Sequence, residues 1–170
     1  MVKFCVTRDG SRLAYFEIGD GPPLVYLPPA PQHLLLSWDF PFFRDQYLWL
    51  AERHRLVRYD SRGTGMSRAA SSDRRAETHS EDLEDLVEHL GLTTFIIIAL
   101  GASGLTAITY AATHRERVAK VVLWNVFPSI PDIASDPRVS SIINLAASDW
   151  ELFTQTISRL VFRMGKCCRR

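Results

Sequence analysis

The sequence predicts an α/β fold: a doubly wound, mostly parallel sheet of about six strands with helices on both faces. Residues 95–99 form an apolar, β-branched run that is typical of a buried strand in a parallel sheet. A cluster of very small residues follows, and the hydrophobic period then changes from that of a strand to that of a helix. Other short strand-like runs alternate with helical patterns along the chain, which favours the same fold class.

The first part of the chain predicts a hairpin followed by a third strand. Residues 3–7 and 12–18 are strand-like, and Asp9-Gly10 between them is typical of a tight turn. A Gly- and Pro-rich break precedes the third strand, residues 24–27. A loop over residues 28–33 follows it at the carboxyl end of the sheet.

The middle of the chain predicts two helices around a fourth strand. Residues 38–53 are amphipathic enough for one helix, residues 55–59 read as the strand, and residues 78–90 form the second helix. Gly91 stops that second helix. Its acidic residues predict a solvated face and not a metal site: Glu81, Asp82, Glu84, Asp85 and Glu88.

A structural turn is predicted directly after the fourth strand, in the run D-x-R-G-x-G-x-S. Asp60 can accept backbone N–H groups there, and Arg62 lies within the turn. Gly63 and Gly65 permit positive φ and close backbone approach. The run has no Walker lysine and no G-x-G-x-x-G pattern, so it is not a phosphate loop.

The strand, small-residue cluster and helix around Gly101 predict a nucleophile elbow, because so tight a turn excludes side chains on either side of its apex. In the helix that follows, Leu105, Ile108 and Ala112, with Ala107 and Ala111, are expected to form the buried face. Here the chain resembles the α/β-hydrolase superfamily. That family follows its elbow with a "YA" pair and a closing "PERV", which correspond to 110–111 and 116–118 in this sequence.

The resemblance places Gly101 at the nucleophile position, with Ala99 before it and Ser103 and Gly104 after it. It also implies an oxyanion loop at residues 28–33, where three prolines lack an N–H group and the family's His-Gly pair is absent. The run R-Y-D-x-R-G-T-G and the tryptophan at position 124 are similar to α/β-hydrolase domains fused to bacterial cyclase or transcription-regulator modules.

A second register stays open, in which Ser103 is the nucleophile and works with a histidine such as His33. It puts Leu105 two residues past the apex, where a side chain would collide with the returning helix. In the first register Ser103 is a small residue at a tight helix start that caps free N–H groups, and His33 is a loop residue.

A ligand pocket is predicted where the carboxyl ends of the strands meet. The unpaired N–H groups at the start of the elbow helix favour an anionic group on a small, largely apolar ligand or ester. The predicted lining residues are Pro29, Ala30, His33, Leu100, Gly101 and Ala102.

The C-terminal part predicts a sixth strand at residues 120–124, a Pro- and Asp-rich connection at 126–137, and helices at 139–147 and 149–164. We therefore divide the chain into a core, residues 1–125, and a helical lid-like segment with a tail, residues 126–170. In the family the catalytic acid and histidine follow the serine in later segments, beyond position 170. Without a seventh strand, residues 120–124 would be an apolar edge that favours self-association.

Composition narrows the class of protein. The net charge of +1 does not indicate a nucleic-acid or anionic-membrane partner. No apolar run reaches the roughly twenty residues of a membrane span, and the N-terminus lacks a secretory signal. Three cysteines without zinc spacing favour a reducing, cytoplasmic location. Neither a cofactor nor a metal is expected.

Three functional hypotheses follow. The chain is a degenerate α/β-hydrolase without hydrolase activity that binds a small apolar ligand or a partner, which the glycine at position 101 favours. Alternatively, it is an active carboxylic-ester hydrolase that uses Ser103. The third hypothesis is a truncated gene product with no independent role, which the unusual tail Lys166-Cys167-Cys168-Arg169-Arg170 favours.

Overall fold

The computed structural model describes residues 1–29, 32–126 and 136–156. Its centre is one six-stranded sheet, in the order β1-β2-β4-β3-β5-β6. The strands are β1 (Lys3–Val6), β2 (Arg12–Ile18), β3 (Pro23–Leu27), β4 (Arg55–Tyr59), β5 (Phe95–Leu100) and β6 (Val118–Trp124). The helices are α1 (Leu34–Asp39), α2 (Pro41–Ala51), α3 (Ala76–His89), α4 (Ser103–Thr113) and α5 (Pro137–Ser148).

The sheet is parallel except at one side. β1 and β2 form an antiparallel hairpin, and β2 also runs antiparallel to β4. The contacts β4–β3, β3–β5 and β5–β6 are all parallel. This confirms the predicted α/β class with a mostly parallel sheet of six strands.

The prediction of a single helix over residues 38–53 is wrong. Two helices cover this region, α1 and α2, and they are separated at Phe40, whose backbone is extended at φ −85° and ψ 115°. The cause is Pro41, because a proline disfavours helical geometry in the residue before it and is well suited to begin a helix itself.

The alternation of side chains divides the core into two layers. Val25, Leu27 and Val57 face one side of the sheet and pack against α3 and α4. Leu24, Tyr26 and their neighbours face the other side and pack against α1 and α2. The carboxyl ends of β3, β4 and β5 therefore meet between the two helical layers, as in other doubly wound sheets.

The buried face of α4 differs from the predicted one. Gly104, Ala107 and Tyr110 are buried, whereas Ile108 is 47% exposed. The reason is the tight turn before α4, which turns the small residues at 104 and 107 toward the sheet so that the helix can lie close to it.

The solvated acidic face predicted for α3 is also wrong for three of its residues. Asp82 is 1% exposed and forms an ion pair with Arg62. Asp85 accepts hydrogen bonds from Arg8, and Glu84 accepts them from Tyr110 and Arg117. These contacts join α3 to the β1–β2 turn and to the end of α4. In the described part of the chain, no cluster of three or more His, Cys, Asp or Glu side chains could hold a metal ion.

The chain divides into two compact units, Met1–Pro128 and Ser129–Arg170. In the second unit, α5 is followed by helical residues 150–156, where the Trp150 and Phe153 rings lie 5.3 Å apart. The predicted connection at 127–135 and the predicted helix and tail beyond 156 lie outside the described residues. No helix in the described ranges is long and apolar enough to span a bilayer.

Candidate functional site

The turn between β5 and α4 is built around Gly101. Its φ is +58°, a conformation in which glycine meets no Cβ penalty. Its N–H donates to the carbonyl oxygen of Trp124 at 3.2 Å, so the turn is anchored to the end of β6. At Gly104, a Cβ atom would lie 2.0 Å from Cγ1 of Val126, so this position also has to be small.

Ser103 is the first residue of α4, and its hydroxyl is engaged by backbone groups. Oγ accepts the N–H of Leu100 at 3.0 Å. Its proton is shared between the carbonyl oxygens of Leu100, at 2.9 Å, and Leu27, at 3.3 Å. Among the described residues, no histidine hydrogen-bonds to this hydroxyl. Ser103 thus joins the ends of β3 and β5 to the start of α4.

His33 caps the start of α1. Its Nδ1 accepts the backbone N–H of Leu36 at 3.4 Å. A histidine that accepts a hydrogen bond at Nδ1 carries its ring proton on Nε2. The structure does not bring His33 into hydrogen-bonding contact with Ser103.

The D-x-R-G-x-G turn is organised around a buried carboxylate. Asp60 is fully buried, and its Oδ2 accepts the backbone N–H of Met66 at 2.9 Å. A Cβ atom at Gly65, where φ is +53°, would lie 2.2 Å from that oxygen. Burial raises the pKa of Asp60 above its usual range.

Arg62 extends from the same turn to two acidic residues. Its Nε and Nη2 donate to the two carboxylate oxygens of Asp82, at 2.7 and 2.5 Å, and its Nη1 donates to Asp9 at 2.8 Å. Hydrogen bonds to these carboxylates raise the pKa of Arg62. Its role in the structure is therefore to connect the turn, α3 and the β1–β2 hairpin.

A cavity of about 380 Å³ opens between the loop after β3 and the helices α1 and α2. Of the predicted pocket residues, Pro29 and His33 line it, whereas Leu100, Gly101 and Ala102 do not; Ala30 lies outside the described residues. The lining residues are Tyr26, Pro29, Gln32, His33, Leu36, Ser37, Phe40, Phe43 and Tyr47.

Arg58, directly behind the wall of this cavity, is a residue that sequence reasoning did not single out. It is 0% exposed, its Nη2 donates to Oγ of Ser37 at 2.8 Å, and its guanidinium lies 3.5 Å above the Tyr47 ring. Burial lowers the pKa of Arg58. The available signal was an arginine inside β4 that period-two alternation places on the same face as the buried Leu56.

The comparisons with known proteins agree with this architecture. A family model for the alpha/beta hydrolase fold matches residues 22–160. Haloalkane dehalogenase 2 of Mycobacterium tuberculosis is 29% identical over 117 residues, 68% of this chain and 39% of that protein. The soluble epoxide hydrolase of Corynebacterium sp. strain C12 is 30% identical over 122 residues, 72% of this chain and 41% of that protein.

A solved structure, a hydrolase from Pseudomonas aeruginosa PA01, matches with a TM-score of 0.69 at 26% identity. The match covers 84% of this chain and 52% of that one. The matched parts of the two curated relatives are thus less than half of each, 39% and 41%.

Proposed function

Since the chain belongs to the α/β-hydrolase fold family, we propose that it is a member without acyl-hydrolase activity that binds a small, largely apolar molecule at the carboxyl end of its sheet. The observation that carries the proposal is the residue at the turn between β5 and α4. In this family the turn presents the nucleophile, and here it is occupied by Gly101.

The backbone of Gly101 supports this assignment of the apex. A positive φ at the single residue that reverses the chain between strand and helix is the strained geometry expected of a nucleophile elbow. A glycine there offers no hydroxyl, thiol or carboxylate, so no covalent intermediate can form at the apex.

Ser103 is a poor substitute for the missing nucleophile. Its hydroxyl proton is directed at the carbonyl oxygens of Leu100 and Leu27. An activated serine instead donates to a general base. The loop after β3 adds to the argument, because Pro28 and Pro29 offer no N–H group to an oxyanion.

The relatives named above act on haloalkanes and epoxides, but the chain matches less than half of each, so their activities do not transfer to it directly. Family membership supplies the scaffold, and the site decides the activity. The binding half of the proposal is supported by the cavity beside the loop after β3, whose walls are largely aromatic and aliphatic.

The test is hydrolysis and active-site labelling of the full chain. We expect p-nitrophenyl acetate to be hydrolysed no faster than by a heat-denatured control, and a fluorophosphonate probe to leave the protein unlabelled. Labelling that disappears in Ser103→Ala would make Ser103 the nucleophile and would overturn the proposal.

The variants Gly101→Ser and Gly101→Ala impose the same strain at positive φ, and only the first adds a hydroxyl. We expect neither to hydrolyse the ester, because a serine without a general base is a weak nucleophile. Turnover by Gly101→Ser alone would show that a base is already in place. The proposed binding of a small molecule is contradicted if no short acid or ester raises the melting temperature of the protein.

A further inference from the structure

The unsatisfied buried polar atoms of the described residues are concentrated at one place. They belong to three side chains: both amide atoms of Gln32, Nε and Nη1 of Arg58, and Oδ1 of Asp60. Buried polar groups are nearly always hydrogen-bonded, and each exception calls for a partner that is not part of the chain's own contacts. Gln32 lines the cavity beside α1 and α2, and Arg58 lies directly behind its wall.

Arg58 is a buried cation that forms no ion pair with the described residues, and the carboxylate that attracts it is that of Asp60. The rings of Tyr47, Phe16 and Tyr26 lie 3.5, 5.4 and 5.9 Å from its guanidinium and stabilise it by cation–π interactions, but they do not neutralise its charge. Asp60 attracts Arg58 from beyond ion-pair distance, and one of its two carboxylate oxygens accepts the backbone N–H of Met66. A buried charge of this kind is costly unless an opposite charge approaches it.

The volume and the lining of the cavity beside Arg58 indicate what kind of ligand fits there. Its walls are mainly aromatic and aliphatic, and its volume of about 380 Å³ is near the lower end of the range for small-molecule sites. Ser37 and Tyr47 both line the cavity. The Ser37 hydroxyl accepts a hydrogen bond from Arg58, and the Arg58 guanidinium lies above the Tyr47 ring. The positive charge therefore contacts two of the residues that form the wall of the cavity.

We infer that this cavity binds a small monocarboxylate with an apolar body. Its carboxylate accepts a hydrogen bond from the Gln32 amide, which turns toward the cavity on binding because its atoms are buried in the free protein, and it is stabilised by the charge of Arg58 behind the wall. The inference rests on the binding half of the proposed function and identifies its ligand class. It moves the anionic group away from the start of α4, where the sequence predicts it, to the side of the sheet that α1 and α2 cover. Gln32 is the direct contact and Arg58 the residue that selects for charge.

The test compares two probes of equal shape, phenylacetate and its neutral isostere phenylacetamide, on the full chain. Binding is followed by titration and by the NMR signal of the Gln32 side-chain amide, which is assigned by its loss in Gln32→Leu. We expect phenylacetate to bind at least about tenfold more tightly than phenylacetamide and to shift that signal. Equal or tighter binding of the amide would overturn the inference, while the proposed small-molecule site would stand.

The variants separate a charge effect from a structural one. Arg58→Gln should weaken phenylacetate by about tenfold or more and leave phenylacetamide within about twofold, whereas a merely structural role would weaken both equally. Arg44→Gln, on α2 with a side chain 41% exposed, removes the same charge outside the cavity lining and should change neither. If Arg58→Gln does not fold, the charge selectivity of the wild-type chain and the loss of affinity for phenylacetate in Gln32→Leu still decide.

Two remaining outcomes count against the inference. If neither probe binds at millimolar concentration, the inference fails, and the screen of short acids and esters by melting temperature then decides separately whether the chain binds a small molecule at all. If phenylacetate binds but perturbs α4 and leaves the Gln32 signal unmoved, the ligand class is right and the site is wrong. Ester hydrolysis by the wild-type chain would refute the non-hydrolytic proposal without touching this inference.

Discussion

Replacing Arg62 by alanine should be among the most destabilising substitutions in the chain. Arg62 is 2% exposed and holds Asp82, 1% exposed, through two hydrogen bonds of 2.7 and 2.5 Å. Without the guanidinium, Asp82 is left as a buried carboxylate whose remaining ion-pair contact among the described residues is His79 at 4.0 Å, and burial lowers the pKa of His79 and so disfavours its charged form. Breaking a buried pair in this way costs about 3–5 kcal/mol, a large part of the roughly 5–15 kcal/mol that stabilises a typical domain.

The assay is urea unfolding followed by tryptophan fluorescence and far-UV circular dichroism, with the slope of the transition checked for constancy. Arg75→Ala is the matched control, since Arg75 forms an exposed ion pair with Asp73 and its loss should leave the midpoint unchanged. The double variant Arg62→Met/Asp82→Leu should recover part of the loss, because it removes the charge that the single variant leaves unpaired.

The pH dependence sharpens the same prediction. With Arg62 gone, burial raises the pKa of Asp82 without a compensating cation, so the folded variant binds a proton more readily than the unfolded chain. The destabilisation should therefore be largest at neutral pH and should shrink as the pH is lowered toward the raised pKa. A loss of less than about 1 kcal/mol at neutral pH, or one that grows on acidification, would refute the argument.

Three further predictions concern other parts of the molecule. Gly104→Ala should cost about 1–3 kcal/mol in urea unfolding, because the new Cβ would lie 2.0 Å from Cγ1 of Val126. Burial holds the pKa of His79 below its usual 6.5, so the folded state binds a proton less readily than the unfolded chain. The free energy of unfolding should therefore fall as the pH drops below 6.5, and this fall should be smaller in His79→Gln. We also propose that two chains associate through β6, the last strand of the sheet among the described residues, where Val122 is 45% exposed. Val122→Lys should lower the fraction of dimer that sedimentation measures at micromolar concentration.

Each of these measurements has a control on the same chain. Gly91→Ala places a Cβ where no atom lies within 4 Å, so only backbone strain at its positive φ is tested. His54→Gln makes the same side-chain change at a half-buried histidine outside α3 and serves as the matched control for His79→Gln. Val6→Lys alters an exposed valine on the opposite edge strand and should leave dimerisation intact. A monomer whose β6 amides are protected from exchange would contradict the edge prediction.

Local patterns made the framework of the fold and the place of the elbow predictable. The runs at 55–59 and 95–99 carry the hydrophobicity of buried strands, and the structure has β4 and β5 there. The small residues at 101–104 predicted a tight strand-to-helix turn, and Gly101 has the positive φ of such a turn. Where sequence reasoning failed locally, at Phe40, the signal was present in Pro41 but was outweighed by the apolar periodicity on either side.

Contacts between distant residues were not predictable. Asp82 belongs to an acidic stretch that is typical of a solvated helix face, and its burial depends on Arg62, 20 residues earlier in the chain. The position of Arg58 in β4 indicated that its side chain faces the core. It could not show that no described residue forms an ion pair with Arg58, or that α1 and α2 form a cavity beside it.

The sequence by itself thus determined the fold class, the order of the strands and the tight glycine turn between β5 and α4, because periodicity and backbone sterics act over a few neighbouring residues. Only the tertiary structure decided which charged groups are paired and which are left unpaired, because the free energy of a buried charge depends on the partners that the fold brings to it. The inference about a carboxylate ligand follows from that second kind of information, from an arginine at position 58 that the fold buries without an ion-pair partner.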